Sequence, residues 1–179
     1  SGALVYDEKK LKIPCKETTP RDPQKNNYIF SKYLAEKLTE AYSAIVPCIN
    51  VRLSNIYGPS LLDRPDIIIS IFNTILKKKN MHIKSFKPRR DFIHVDDVAD
   101  AIVALLKSKH YGHVNLGSGQ DISIKNVCSI IEKITQKKIT SNNQKVNGPY
   151  IYAHDISLIK KITDWKPKIN LNKGLEMTW

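Results

Sequence analysis

Short apolar runs rich in strand formers alternate with longer stretches of helical periodicity along almost the whole chain. No other feature constrains the fold as much. A strand, a covering helix and a further strand make a βαβ unit, which predicts an α/β fold with at least partly parallel pairing. "ALVY" (3–6) reads as a strand. "DEKKLKIPCKETTPRDPQKN" (7–26) is polar, holds Pro14, Pro20 and Pro23, and reads as a long surface loop, a length usually tied to function. From Tyr28 to about Ala44 the period is helical, with Leu34, Leu38, Ala41 and Ile45 on one apolar stripe. "VPCINVRLS" (46–54) predicts a buried strand and "NIYGPS" (55–60) a turn. A helix over 67–78, a strand over 81–86 and a strand at "RDFIHV" (90–95) follow. Asp96 is placed to cap a helix running to about Lys107. "HVNLGSG" (113–119) is a strand and a Gly-rich turn, Ser123 caps a helix to about Gln136, and one or two helices close the chain between Asp155 and Trp179. The sequence has no internal repeat and no low-complexity linker.

Composition narrows the function classes. A chain of 179 residues is long enough for a sizeable core. No apolar run approaches the roughly 20 residues of a membrane span, and no basic-then-apolar leader opens the sequence. Cys15, Cys48 and Cys128 are far apart and form no CxxC or Cys/His cluster. That pattern predicts free thiols in the cytoplasm and no zinc site. The net charge of +12 favours an anionic partner, although much of it lies on the polar faces of "LKKKN" (76–80) and "EKITQKK" (132–138). No zinc finger and no interleaving of arginines with aromatics points to nucleic acid.

Tyr28 and Lys32 stand four apart, on one face of the predicted helix. An ammonium beside a tyrosine favours its phenolate, which can take a proton from a hydroxyl. The same spacing also arises between an ordinary surface tyrosine and a solvated lysine, and spacing alone does not choose. In "FIHVDD", His94, Asp96 and Asp97 are consecutive enough to alternate faces and make a poor metal set. A cap at Asp96 and a packed His94 are the simpler reading.

Six segments in order carry a resemblance: "SGALVYD" (1–7), "PRDPQKNNYIFSK" (20–32), "RLSNIYGP" (52–59), "RDFIHVDDVADAI" (90–102), "NLGSG" (115–119) and "DWKPKINLNKGL" (164–175). Together they resemble the extended short-chain dehydrogenase/reductase family, the NAD-dependent epimerases and dehydratases that act on nucleotide sugars. One family feature is missing from the sequence. Its seven glycines, at 2, 58, 112, 117, 119, 148 and 174, form no dinucleotide fingerprint on a βαβ unit. The resemblance therefore implies the C-terminal half of a Rossmann-type parallel sheet plus a smaller α/β substrate-binding subdomain. Residues 1–60 would hold the Rossmann part with the Tyr-Lys helix. Residues 61–179 would be mainly substrate-binding, with about 90–117 returning to the Rossmann part.

The resemblance also implies roles. Tyr28 is the catalytic base and Lys32 its activator, and both contact NAD, with NADP as the alternative. Ser1 stands in for the family's catalytic hydroxyl, one position out of register, because Gly2 occupies the expected place four residues before Tyr6. Arg52, Ser54 and Asn55 lie on the turn beside the nicotinamide, with Ser54 near the cofactor and Asn55 on the substrate diphosphate. Arg90 binds that diphosphate, and Lys145 replaces a family arginine as a point charge. "NLGSG" is a structural turn without a ligand. Ala3 and Leu4 stand where the dehydratase branch carries an Asp-Glu pair, which disfavours 4,6-dehydration. The implied reaction is epimerisation of a nucleotide-diphosphate sugar through a 4-keto sugar. The alternatives are a reductase or decarboxylase of the family, or a non-catalytic nucleotide-sugar-binding piece. The implied assembly is a homodimer formed through the Tyr28 helix, with no nucleic-acid or membrane partner.

Overall fold

A computed structural model describes residues 2–60, 66–78, 81–146 and 148–179. The architecture is α/β, and among the described residues three of the four strand pairs are parallel. After two 3-10 turns at Ala3–Val5 and Glu8–Lys10 comes helix α1 (Asn27–Tyr42), then strands β1 (Ile49–Leu53) and β2 (Asn55–Tyr57). Helix α2 (Ile67–Lys77), β3 (Met81–Ile83), β4 (Arg89–Arg90), β5 (Phe92–His94) and α3 (Val95–Lys107) follow. The chain continues through β6 (Gly112–Leu116), β7 (Ile122–Ser123), α4 (Ile124–Thr135), β8 (Ile139–Ser141), α5 (Ser157–Thr163) and α6 (Leu171–Thr178). Parallel pairs join β1 to β6, β2 to β5 and β3 to β8, while β4 and β7 are antiparallel. Among the described residues no helix is long and apolar enough to cross a membrane.

Two apolar cores organise these elements. In one, Ile93, Val98, Ala101, Leu105, Val114 and Leu116 pack with Ile156, Ile159 and Trp165 around β1 and β6. The other joins α2, α4 and α6 over β3 and β8, through Ile68, Ile71, Phe72, Val127, Ile131 and Leu175. A smaller cluster of Val5, Tyr6, Cys15 and Tyr152 sits between the N-terminal segment and the stretch after β8.

Several sequence expectations are corrected. "ALVY" is a 3-10 turn, closed by Val5 N–H donating to the Gly2 carbonyl at 3.2 Å. The turn buries both Val5 and Tyr6, which strand alternation would send to opposite faces. The 7–26 segment is a surface loop as read, but with one inward anchor, for Cys15 is fully buried and bridges to His154. The "NIYGPS" stretch opens with strand β2, because Asn55, Ile56 and Tyr57 pair with Phe92, Ile93 and His94. "RDFIHV" breaks at Asp91, whose buried carboxylate binds the glycine turn and leaves β4 and β5 as separate strands. His94 caps α3 in place of Asp96, its Nδ1 accepting the Asp96 N–H at 3.3 Å. The strand begun at Met81 ends at Ile83, short of Phe86.

The largest reversal concerns α1. Its apolar stripe faces outward, with Leu34 48% and Leu38 61% exposed, and because the helix ends at Tyr42 the third member, Ile45, falls in the turn that follows, 76% exposed. The buried positions are Ile29 and Glu36. The inward face is ionic because Glu36 meets a buried arginine from β1.

Candidate active site

The first turn of α1 starts at Asn26, whose side chain accepts the Ile29 N–H at 2.9 Å and fixes the helix entry. Tyr28 follows at once and is 59% exposed. Lys32 lies one turn on, its Nζ 5.5 Å from the Tyr28 ring centroid, within cation–π range. Ile29, between them, is buried and holds this turn against the body of the protein.

Tyr28 and Lys32 open onto a cleft of about 690 Å³, a volume typical of small-molecule sites. Ser54, Asn55 and Arg90 line the same cleft. Five of the seven predicted site residues are thus brought together from α1, the β1–β2 junction and β4. Ser1 lies outside the described residues. Lys145 is exposed and lines neither this cleft nor the adjoining cavity, which its neighbour Val146 does line. That second cavity shares Asn55 and Arg90 with the first and is walled by Ile67, Ile71, Met81, Ile83 and Phe92. A polar end and an apolar end therefore meet at Asn55 and Arg90.

Each contributing side chain has a visible support. Asn55 sends both its backbone N–H and its Nδ2 to the Asp91 carbonyl, at 3.0 and 3.1 Å. Arg90 Nη1 donates to the carbonyls of Arg89 and Tyr150 at 2.9 and 3.3 Å. Its remaining donors have no partner among the described residues. Burial presses the Arg90 guanidinium below the ordinary arginine range, and the Glu8 carboxylate opposes that. Ser54 lines the cleft, but its hydroxyl is buried without a hydrogen-bond partner among the described residues. It turns toward Gly117, where an added Cβ would stand 2.9 Å from it and would also strike the Asp91 carboxylate. Only glycine allows that approach. Asp91 accepts from Ser118 N–H and Oγ, both at 2.7 Å, from Gly119 N–H at 3.1 Å and from His154 N–H at 3.2 Å. Burial raises its carboxyl above the usual carboxylate range, and these donors counteract the rise.

Arg52 does not reach the cleft. It is 1% exposed and turns inward to Glu36, with Nε at 2.9 Å from Oε1 and Nη2 at 2.8 Å from Oε2. Its Nη1 donates to the Tyr6 hydroxyl at 3.0 Å and the Glu17 carbonyl at 2.9 Å. Burial works against the guanidinium charge, yet Glu36 and Tyr6 outweigh it and push its pKa up. One arginine thus locks α1, β1 and the 5–22 segment, three of the walls of the cleft, to one another. Glu36, Glu40 and His113 bring donor atoms within 4.8 Å of one another, but Arg52 and Arg21 already occupy Glu36.

Sequence reading did not single out Glu36, Asp91 or the cleft-lining Asp7, Glu8, Asp22 and Lys25. For Asp7 and Asp22 it is the single antiparallel bridge between Tyr6 and Arg21, made only in the folded chain, that brings them together at the cleft. For Glu36 and Asp91, buried partners far along the chain decide, and no local pattern announces them.

Comparison with known proteins places these features in a common frame. The pattern of the NAD dependent epimerase/dehydratase family matches residues 1–117. The UDP-glucuronate 4-epimerase of Thermodesulfobacterium geofontis is 34% identical over 171 residues, covering 91% of this chain and 51% of that protein. Probable GDP-L-fucose synthase 1 of Oryza sativa subsp. japonica is 28% identical over 176 residues, covering 89% and 53%. Among solved structures, UDP-glucuronic acid 4-epimerase from Bacillus cereus, in complex with UDP-glucuronic acid and NAD, superposes with a TM-score of 0.86 at 28% identity. That match covers 99% of this chain and 58% of the other. RMD from Pseudomonas aeruginosa, complexed with NADPH, shares the fold with a TM-score of 0.86 at 23% identity, over 99% and 63% of the two chains. The chain spans about half the length of the curated relatives it matches.

Proposed function

Because the chain belongs to the NAD dependent epimerase/dehydratase family, we propose that it forms the Tyr-Lys and substrate-holding part of an enzyme exchanging hydride between a nucleotide-diphosphate sugar and NAD, or NADP. The carrying observation is that Tyr28, Lys32, Ser54, Asn55 and Arg90 line a single cleft. The residues present fit the nicotinamide-ribose end of a dinucleotide: an exposed phenol, an ammonium one turn on, and the Leu53–Ser54 wall beside them. When bound, the dinucleotide supplies the hydride acceptor and donor.

The chain's own residues do the rest. Lys32 would hold the ribose hydroxyls and keep positive charge beside Tyr28. The Tyr28 oxygen, as phenolate, takes the proton of the reacting sugar hydroxyl and later returns one. Arg90 presents its free guanidinium donors to the diphosphate, and Asn55 adds its amide. The second cavity, meeting the first at these two residues, receives the nucleoside. The reaction proposed is epimerisation through a 4-keto sugar. Relatives named as GDP-L-fucose synthase and UDP-glucuronic acid decarboxylase support reductase or decarboxylase chemistry as its variants.

A second reading, nucleotide-sugar binding without turnover, is favoured by Gly2, which lines the cleft and offers no hydroxyl. Tyr28→Phe separates the two. Loss of hydride exchange with sugar-nucleotide affinity retained supports the enzyme. Unchanged function in the variant rejects it.

The two cores support a division near residue 60, with 90–117 returning to the Rossmann part together with α5. The enzyme is proposed as a cytoplasmic homodimer. The outward stripe of Leu34 and Leu38 on α1, flanked by Phe30 and Tyr42, supports this reading, because the same helix face of two copies can meet across a two-fold axis. Leu38→Glu should give monomers in sedimentation. An unaltered oligomeric state rejects this interface.

A further inference from the structure

The cleft contains an acid that the proposed chemistry does not use. Glu8 opens the second 3-10 turn, and its carboxylate lies 3.2 Å from Lys25 Nζ. It also reaches the opposite rim, since a Cβ built on Gly148 would stand 4.0 Å from its Oε1. Arg90 lines the same cleft and feels the Glu8 charge. The neighbouring acids are otherwise engaged, for Asp7 accepts the Lys9 N–H at 2.9 Å and Asp22 the Gln24 N–H at 3.2 Å. Lys25 is 17% exposed and also donates to the Tyr6 carbonyl at 2.6 Å, so its stem is fixed. Glu8 is the movable member, with 36% of its side chain exposed.

We infer that Glu8, paired with Lys25 beside Arg90, is an internal counter-ion of the phosphate site, which must be displaced by the diphosphate of an incoming nucleotide sugar. This rests on Arg90 being the diphosphate residue, as proposed above. A carboxylate among cations lowers the free energy of the empty cleft and repels an arriving dianion, so it weakens and discriminates anion binding at once. Displacement leaves Lys25 and Arg90 to the phosphates. A neutral ligand entering the apolar end need not move Glu8.

The test is calorimetric titration of UDP and GDP, with uridine and guanosine as uncharged controls, into wild type, Glu8→Gln and Glu8→Gln/Lys25→Met. Glu8→Gln should bind whichever diphosphate the wild type binds about threefold to tenfold tighter at about 50 mM salt, and the gain should shrink at about 0.5 M. Nucleoside affinity should not change, which separates charge competition from a loosened turn. The double variant should lose part of the gain, because Lys25 is one of the cations released. Diphosphate binding that Glu8→Gln leaves unchanged, or that rises in step with nucleoside binding, overturns the counter-ion role alone. No diphosphate binding by any of the three overturns it together with the diphosphate reading of Arg90.

Discussion

Replacing Arg52 by Met tests whether one buried ion pair holds the cleft walls together. The substitution keeps the apolar stem and removes four hydrogen bonds, two to Glu36, one to the Tyr6 hydroxyl and one to the Glu17 carbonyl. Glu36 stays behind at 1% exposure, and Arg21 Nη1 at 2.8 Å remains its nearest cation. Breaking a buried pair by removing one partner costs about 3–5 kcal/mol, and the residual Arg21 contact places this case near ~3 kcal/mol. For a chain of this size that corresponds to a fall in Tm of roughly 6–12 °C. The Glu36→Leu/Arg52→Met double variant removes the stranded carboxylate and should recover at least ~1 kcal/mol relative to Arg52→Met. Urea unfolding followed by circular dichroism and tryptophan fluorescence measures both. A cost below about 1 kcal/mol for Arg52→Met, or strict additivity in the double variant, would refute the reasoning.

Three further outcomes are expected. Burial pushes the His154 imidazole down to about 4, against an unfolded value of 6.5. Its contribution to stability is present above about pH 6.5 and is lost as pH falls through about 4, a change of roughly 3 kcal/mol. His154→Gln should flatten that part of the acid limb in urea titrations at stepped pH. Gly174→Ala on α6 drives a methyl into the Tyr57 hydroxyl and should cost about 1–3 kcal/mol. Adding Tyr57→Phe should return part of it, and thermal melts of the two variants decide. Gly2→Ser meets nothing within 4 Å at its Cβ, so Tm should hold within about 2 °C. The added hydroxyl lies at the cleft and should raise turnover in the proposed hydride exchange, and a stable variant with lower turnover rejects a supporting role for a hydroxyl there.

The sequence by itself determined the element types wherever a core face repeats locally. α2, α3 and α4 show helical spacing of Ile, Val, Leu and Ala, and Ser123 caps α4 as read, its Oγ accepting the Asn126 N–H at 3.1 Å. Through the family resemblance carried by "NNYIFSK", "RLSN" and "RDF" it also named five residues that share the cleft. Tertiary structure alone decided which side of α1 faces inward. The apolar stripe Leu34, Leu38 and Ile45 has the periodicity of a core face, yet it stays exposed and the buried positions are Ile29 and Glu36. The partner of Glu36, Arg52, lies 16 residues away and outweighs the stripe. A charge can be buried only where an opposite charge or hydrogen-bond donors meet it, and hydrophobic periodicity carries no record of such partners far along the chain. The same reason hides Asp91, whose carboxylate is held by donors from Ser118, Gly119 and His154. It also hides the inward turn of Ser54, which exists because Gly117 leaves room on another strand's turn. Patterns within a segment report how that segment meets an apolar interior, whereas long-range polar pairing is settled only when the chain closes on itself.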